Sequence, residues 1–220
     1  MRRLDRRARL FAIVLAAAAG YVDAAGFLMT GGFFVSFMSG NSTRLGVGLF
    51  RGAEEALIAG GLIAAFVSGV VIGGVLRRAV AGRPEAAILS VLAGALAGAG
   101  VLAAQGWPLP AALLLACAMG AENLIFAQGG EVRVGLTYMT GALVKVGKGL
   151  AAAIFGEDRG PWLPDLMLWA GLVAGAAGGA VAYGRLGAPA LWPAAGAMAV
   201  LAALSFSVFP RGAAAEPSRV

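Results

Sequence analysis

Two groups of polar residues interrupt an otherwise apolar chain, and their types suggest a site for a small ligand. The first group combines hydroxyl, amide and basic side chains with a glycine: Ser39, Gly40, Asn41, Ser42, Thr43 and Arg44, preceded by the carboxylate of Asp23. The second group consists of Glu122, Asn123, Thr140, Gly141 and Lys145. Side chains of these types bind small polar or charged solutes, and charged residues inside apolar segments mark candidate functional sites.

Among these groups, the carboxylates of Asp23 and Glu122 have the highest free-energy cost of insertion into a bilayer. Asp23 lies about 13 residues into an apolar stretch that begins near residue 10, roughly 20 Å deep if the stretch is a helix. A carboxylate inside a bilayer costs about 2.5 to 3.5 kcal/mol on insertion scales. Two interpretations therefore stay open for each acid: it loads and releases a proton or cation, or it is a structural partner for a base or a helix end.

The hydroxyl and amide groups at positions 39 to 43 have the chemistry of helix N-caps. Ser39, Asn41, Ser42 and Thr43 carry short side chains whose oxygens accept from free backbone N–H groups. If Gly40 permits a break, a half-helix begins near Asn41, and its positive end suits an anionic or polar ligand. The alternative is that these groups only satisfy the broken backbone.

The two bases occupy matching places. Arg44 and Lys145 each lie four residues after a glycine of their group, which is about one helical turn. They could bind a substrate anion, or they could neutralise Asp23 and Glu122. We favour internal ion pairs, because unpaired charges at depth are costly.

The composition indicates what must position these residues. Of 220 residues, 60% are hydrophobic, 13% are charged and 35 are glycine, which is typical of a polytopic membrane protein. The net charge of +6 comes from short basic clusters beside apolar runs, a pattern of topology signals and not of nucleic-acid binding. With no histidine and one cysteine, we expect no metal site, no cofactor and no enzymatic activity.

Six stretches are long and apolar enough to span a bilayer as helices: roughly 10–29, 56–76, 86–104, 109–128, 163–183 and 189–208. With six spans and the N-terminus inside, all lysines and arginines except Arg44, Arg51 and Arg185 fall on the cytoplasmic side. We therefore expect both termini in the cytoplasm. A seventh crossing by the stretch 134–155 is the alternative.

The chain contains an internal repeat. Shifted by 101 residues, Phe37 to Leu49 lies over Tyr138 to Leu150 with matching aromatic, Met, hydroxyl, Gly and basic positions. A weaker match places Gly20 to Asp23 near Gly120 to Asn123. Three spans per half is an odd number, so the sequence predicts two inverted repeats, about 8–105 and 109–208, each with a broken or re-entrant Gly/Ser/Thr-rich segment.

The run Gly20-Tyr21-Val22-Asp23-Ala24, followed by Gly32 to Thr43, resembles the signature of the YoaK family of bacterial inner-membrane proteins. The similarity runs the whole length. That family is catalogued as a domain of unknown function and described at most as small-molecule permeases. The resemblance thus implies a class and a location, with no substrate to carry over.

These observations predict an all-α protein with one membrane domain over residues 1–220 and polar tails at 1–8 and 211–220. We expect a permease of a small polar or charged solute, with proton coupling as one option. A passive channel and a structural or regulatory membrane protein are the alternatives. The partners are the lipid bilayer and the solute, and glycine-rich helix faces are compatible with a homodimer.

Overall fold

The computed structural model describes residues 5–128, 131–132, 135–156 and 162–209. Within these ranges the protein is all-α apart from two strands of two residues each, and a 3-10 turn, Ala188–Ala190, precedes the last helix. The helices are α1 (Arg6–Met29), α2 (Met38–Arg51), α3 (Ala53–Ala79), α4 (Pro84–Ala104), α5 (Pro108–Glu122), α6 (Met139–Ile154), α7 (Leu163–Leu186) and α8 (Leu191–Val208).

Among the residues that the structure describes, five helical segments are long and apolar enough to cross a membrane: α1, α3, α4, α7, and α8 with its preceding turn. The fourth predicted span, 109–128, ends earlier than expected, because α5 stops at Glu122 after 15 residues. The N–H groups of Leu124 and Ile125 bond three residues back, which tightens and closes the helix. Strands β1 (Ala127–Gln128) and β2 (Glu131–Val132) follow as an antiparallel pair.

Helices α1 and α7 pack with their backbones in direct contact. A Cβ on Gly20 would overlap the Leu172 carbonyl oxygen, and one on Gly175 would overlap the Ala17 oxygen. Gly171 lies against Ile13 in the same way. Residue numbers rise together on both helices, so α1 and α7 run parallel.

Helices α3 and α5 repeat this arrangement. A Cβ on Gly120 would overlap the Phe66 carbonyl oxygen, and one on Gly69 would overlap the Cys117 oxygen. Gly120 follows Gly20 by 100 residues, and Leu172 follows Phe66 by 106. The same contact thus occurs twice with constant offsets, each time between a helix of the first repeat and a helix of the second.

The two ends of the bundle are defined by contacts between distant residues. The Phe11 ring lies edge-on to the Phe209 ring at 5.6 Å, so α1 begins where α8 ends. Farther along α1, the Tyr21 hydroxyl donates to the Ala190 carbonyl at 2.8 Å, just before α8 begins. Helices α1 and α8 are therefore antiparallel, and α4 also packs along α8.

The short helices α2 and α6 each pack on the long helix that follows them, α2 on α3 and α6 on α7. Extensive packing between α2 and α6 is absent from the described part of the chain. Each motif is therefore held by the long helix that follows it in the chain. The reason is that Gly52 alone separates α2 from α3, so α2 folds back on its own neighbour.

Candidate functional site

The connection from α1 to α2 reverses direction at two glycines. Thr30 follows the last residue of α1, and its hydroxyl donates to the Gly26 carbonyl at 2.8 Å while accepting from the Phe33 N–H at 3.0 Å. Gly31 and Gly32 have φ of 69° and 118°, which side-chain-bearing residues rarely adopt. The chain therefore turns back towards the helix that it has just left.

Asp23 holds the returning segment. Its Oδ1 accepts from the backbone N–H of Val35 at 2.9 Å and of Ser36 at 2.7 Å. Since Asp23 lies six residues before the end of α1 at Met29, the segment returns about 9 Å along the helix axis. A Cβ on Gly26 would lie 2.7 Å from Val35 Cγ1, so glycine makes room for the return.

Asn41 satisfies both backbone groups of one further residue. Its Oδ1 accepts from the Phe34 N–H at 3.0 Å, and its Nδ2 donates to the Phe34 carbonyl at 2.6 Å. The side chain of Asn41 is fully buried. Backbone outside helices needs such partners wherever water is absent. The amide of Asn41 therefore fixes the returning segment with one accepted and one donated hydrogen bond.

The hydroxyls of this motif are not N-caps, contrary to the sequence-based expectation. Helix α2 begins at Met38 after Phe37, without a side-chain cap. Ser39, Ser42 and Thr43 are exposed within the helix. The hydroxyls of Ser42 and Thr43 donate to the carbonyl four residues back, at 2.8 and 3.2 Å.

Gly40 does not break the helix either. It lies within the first turn of α2, and a Cβ there would come 2.8 Å from the Phe34 ring. The Phe34 ring also packs against the rings of Phe27, at 4.9 Å, and Phe37, at 5.9 Å. The glycine is thus needed for an aromatic contact, and the true break lies at Gly31 and Gly32.

Arg44 pairs with Glu55 and not with Asp23. Its Nη1 lies 3.2 Å from Glu55 Oε1, and its guanidinium stands over the Phe33 ring at 4.7 Å. Both members of the ion pair remain about one-third exposed. The predicted neutralisation of Asp23 by Arg44 is wrong, because two backbone N–H groups already occupy that carboxylate.

Asn123, and not Glu122, is the counterpart of Asp23 in the second half. Its Oδ1 accepts from the Thr137 hydroxyl at 3.3 Å, and its Nδ2 donates to the Met119 carbonyl at 3.0 Å. Asn123 follows Asp23 by 100 residues, and Thr137 follows Ser36 by 101. Ser36 and Thr137 were not among the predicted site residues, although the repeat places a hydroxyl at both positions.

Lys145 pairs with Asp165 and not with Glu122. Its Nζ lies 3.6 Å from Asp165 Oδ1, with the lysine side chain 63% exposed and the aspartate 10% exposed. Asp165 occupies the first turn of α7, as Glu55 does in α3. By the 106-residue offset Asp165 lies one helical turn further along its helix than Glu55.

The remaining members of the second group, Thr140 and Gly141, are exposed on α6. A Cβ on Gly141 would meet no atom within 4 Å. The second motif therefore keeps an ion pair like that of the first, and the contact of Asn123 with the Thr137 hydroxyl stands where Asp23 accepts the Ser36 N–H. Aromatic packing like that of Phe34 is absent from the described residues of the second motif.

Glu122 stands apart from the other candidates. It is fully buried, and within the described residues neither carboxylate oxygen has a hydrogen-bond partner. It is also the last residue of α5, where the helix dipole is negative. Burial and the helix dipole both disfavour an isolated negative charge, so the Glu122 carboxyl is stabilised by binding a cation or a proton.

The broken end of α5 is capped by a residue that the sequence did not single out. Nη1 of Arg77, near the end of α3, donates to the carbonyls of Leu124 at 2.9 Å and Ile125 at 3.2 Å. The same atom lies 3.1 Å from Glu85 Oε1 at the start of α4. Arg77 thus joins three helices. In the sequence it was one more basic residue at the end of a span.

Comparison with known proteins gives a class without an activity. A family model described as a protein of unknown function, DUF1275, matches residues 11–204. The UPF0700 transmembrane protein RA0705 of Rhizobium meliloti (strain 1021) is 39% identical over 211 residues, which covers 94% of this chain and 92% of that protein. No solved structure matches the chain.

Proposed function

Because the chain belongs to the DUF1275 family, whose description gives no activity, we propose a function from the site itself: a permease for a small cation, bound at Glu122. The family match and the transmembrane relative support a membrane protein, and they support neither the YoaK name nor a permease activity. The observation that carries the proposal is the buried carboxyl of Glu122, which has no hydrogen-bond partner among the residues that the structure describes.

We assign cation binding to Glu122 because the other candidate residues already have structural partners. Asp23 and Asn41 hold the backbone of the α1–α2 connection. Arg44 and Lys145 are in ion pairs with Glu55 and Asp165. A buried ionisable group without a partner is costly in a membrane and is a functional-site candidate by default.

The sign of the buried charge favours a cation. The buried charged side chains of the described chain are all acids: Asp23, Glu122 and Asp165. The bases of the three ion pairs, by contrast, keep part of their surface exposed. Groups of three or more possible metal ligands are absent from the described residues, so one carboxyl suits a monovalent species such as a proton, Na⁺ or a primary ammonium.

The packing of the two halves supports an inverted-repeat permease with six crossings. The α1–α7 and α3–α5 contacts recur with offsets of 100 and 106 residues, and α1 and α8 run antiparallel. Helices alternating in direction in this way give two halves of opposite orientation, an architecture common in secondary transporters. The segment 134–155 then begins and ends on one side and adds no seventh crossing.

The remaining elements of the proposal concern location and partners. The protein is a multi-pass protein of a bacterial inner membrane, with both termini cytoplasmic as the basic residues indicate. It is not an enzyme and uses no cofactor. Its partners are the lipid bilayer and the cation, and the glycine-rich faces that would serve a homodimer are in part used inside the chain, as at Gly69 and Gly175.

The test measures cation flux in proteoliposomes. Purified protein is reconstituted into proteoliposomes, and influx under an imposed potential is followed with the pH dye pyranine inside for protons, or with radiolabelled Na⁺, K⁺ or methylammonium outside. We expect flux of at least one of these cations, lost in Glu122→Gln. Asp23→Asn is the matched control, because an amide Oδ1 can still accept the two N–H groups, and this variant should conduct normally.

Three outcomes would contradict the proposal. Absence of flux for every cation would favour a structural membrane protein. Flux that Glu122→Gln leaves unchanged would remove Glu122 as the binding residue, and a passive channel would then be the better description. Loss of flux in Asp23→Asn with normal flux in Glu122→Gln would return the role to Asp23.

A further inference from the structure

An apolar groove lies between the first turns of α3 and α5, away from Glu122. It has a volume of about 400 Å³ and is lined by Glu54, Leu57, Ile58, Gly61, Leu109 and Leu113. The side chains of Leu57 and Leu109 are 75% and 39% exposed, so the groove opens on the outer face of the helix pair. In a membrane-spanning bundle this face contacts lipid.

The groove depends on Gly61. A Cβ on Gly61 would lie 3.5 Å from Leu113 Cδ2, in ordinary contact, and any longer side chain would extend into the space. The 106-residue offset places Met167 at the corresponding position of α7. The parallel pair α1–α7 thus carries a long side chain at the position where the pair α3–α5 has a glycine, so the groove is a feature of the α3–α5 pair.

One carboxylate stands at the head of the groove. Glu54 is exposed in the first turn of α3, and within the described residues it forms no ion pair, whereas its neighbour Glu55 is held by Arg44. From Glu54 to Gly61 the helix rises about 10 Å, so the groove extends from the N-terminal end of α3 into the apolar layer of the membrane. Arg51, the last residue of α2, comes three residues before Glu54.

We propose that this groove binds a phospholipid with a primary ammonium head, phosphatidylethanolamine. The ammonium group pairs with the carboxylate of Glu54, the phosphate faces the guanidinium of Arg51, and one acyl chain lies along Leu57, Gly61 and Leu113. An anionic head group such as phosphatidylglycerol places no cation beside Glu54. A carboxylate above an apolar slot therefore favours a head group that ends in an ammonium, and a primary ammonium can donate N–H hydrogen bonds to that carboxylate, whereas the quaternary ammonium of phosphatidylcholine has no N–H group.

The experiment compares lipid retention by purified full-length protein. Protein in mild detergent is mixed with phosphatidylethanolamine, phosphatidylcholine or phosphatidylglycerol of identical acyl chains, and retained lipid is counted by native mass spectrometry alongside the melting temperature. We expect preferential retention of phosphatidylethanolamine. Glu54→Gln should reduce that preference about two- to five-fold, the range of a partly exposed ion pair.

A second variant tests the tail. Gly61→Met copies the second half of the chain and should abolish retention of all three lipids, while Gly74→Met, at a position of α3 with open space, should behave as wild type. Equal retention of the three lipids by the wild type would overturn the proposal. So would unchanged preference in Glu54→Gln, or unchanged retention in Gly61→Met.

Discussion

The carboxylate of Asp23 accepts the backbone N–H of Ser36 at 2.7 Å, across a turn of the chain that leaves α1 and comes back to it. This bond, with that from Val35, supplies partners for backbone groups that a bilayer leaves unsatisfied. Asp23 is therefore a structural anchor of the re-entrant connection.

This anchor role predicts different effects for two substitutions of Asp23. Asp23→Asn keeps an acceptor oxygen and should melt close to wild type in detergent. Asp23→Ala strands two buried N–H groups and should cost about 1 to 3 kcal/mol for each. Arg44→Ala breaks only a partly exposed ion pair and should cost about 1 kcal/mol or less. If Arg44→Ala is the more damaging of the two alanine variants, this role for Asp23 is wrong.

The two hydrogen bonds from the Asn41 amide to the Phe34 backbone predict that replacing this side chain by alanine or by a charged aspartate destabilises the protein. Asn41→Asp replaces the donor by an oxygen facing the Phe34 carbonyl, so it should destabilise as much as Asn41→Ala, by about 1 to 3 kcal/mol. Ser39→Ala, on the exposed side of α2, is the control and should leave the melting temperature unchanged. A stable Asn41→Asp protein would show that the amide donor is dispensable.

The backbone contacts between helices predict sharply different effects for glycines of α3. Gly69→Ala introduces a methyl group into the Cys117 carbonyl and should destabilise by roughly 1 to 3 kcal/mol. Gly74→Ala meets open space, and its better helix propensity should stabilise by up to about 1 kcal/mol. Thermal unfolding in detergent measures both, and equal effects would contradict the close packing of α3 on α5.

Arg77 is predicted to hold the end of α5 closed against α3 and α4. Arg77→Ala leaves Glu85 and two carbonyls without this donor and should cost about 1 to 3 kcal/mol, with faster hydrogen exchange just after residue 122. The adjacent Arg78 is exposed, so Arg78→Ala should stay within about 0.5 kcal/mol of wild type. Identical exchange in the two variants would remove this role for Arg77.

Alternating helices predict opposite locations for two loops. In a Cys117→Ala background, Gln105→Cys should react with a membrane-impermeant maleimide in intact cells. Ala81→Cys, in a loop with basic neighbours, should react only after the cells are opened. Both positions are exposed, so access to the reagent depends on the membrane alone. Labelling of both from one side would rule out six crossings.

The class of the protein and most of its helices follow from the amino-acid sequence alone. A helix forms its backbone bonds within one segment, so apolar length alone locates α1, α3, α4, α7 and α8. The repeat also located both short helices, and the paired hydroxyls at Ser36 and Thr137 were visible in it. The early end of α5 was not visible, because 109–128 is apolar almost to its end and the helix is closed by local turns and by Arg77.

Which group each charged side chain contacts depends on how the helices pack. Arg44 could reach Asp23 or Glu55, and the choice depends on how α2 folds back on α3 at Gly52. The contact of Gly20 with Leu172 depends in the same way on α7 lying parallel to α1. These contacts depend on how segments that are distant in the sequence pack against each other. Periodicity and composition describe only residues that are close in the sequence, so they do not predict such contacts. Asp23 and Glu122 were both candidates in the sequence, and only the fold distinguishes them: Asp23 accepts two backbone N–H groups, whereas Glu122 has no hydrogen-bond partner among the described residues.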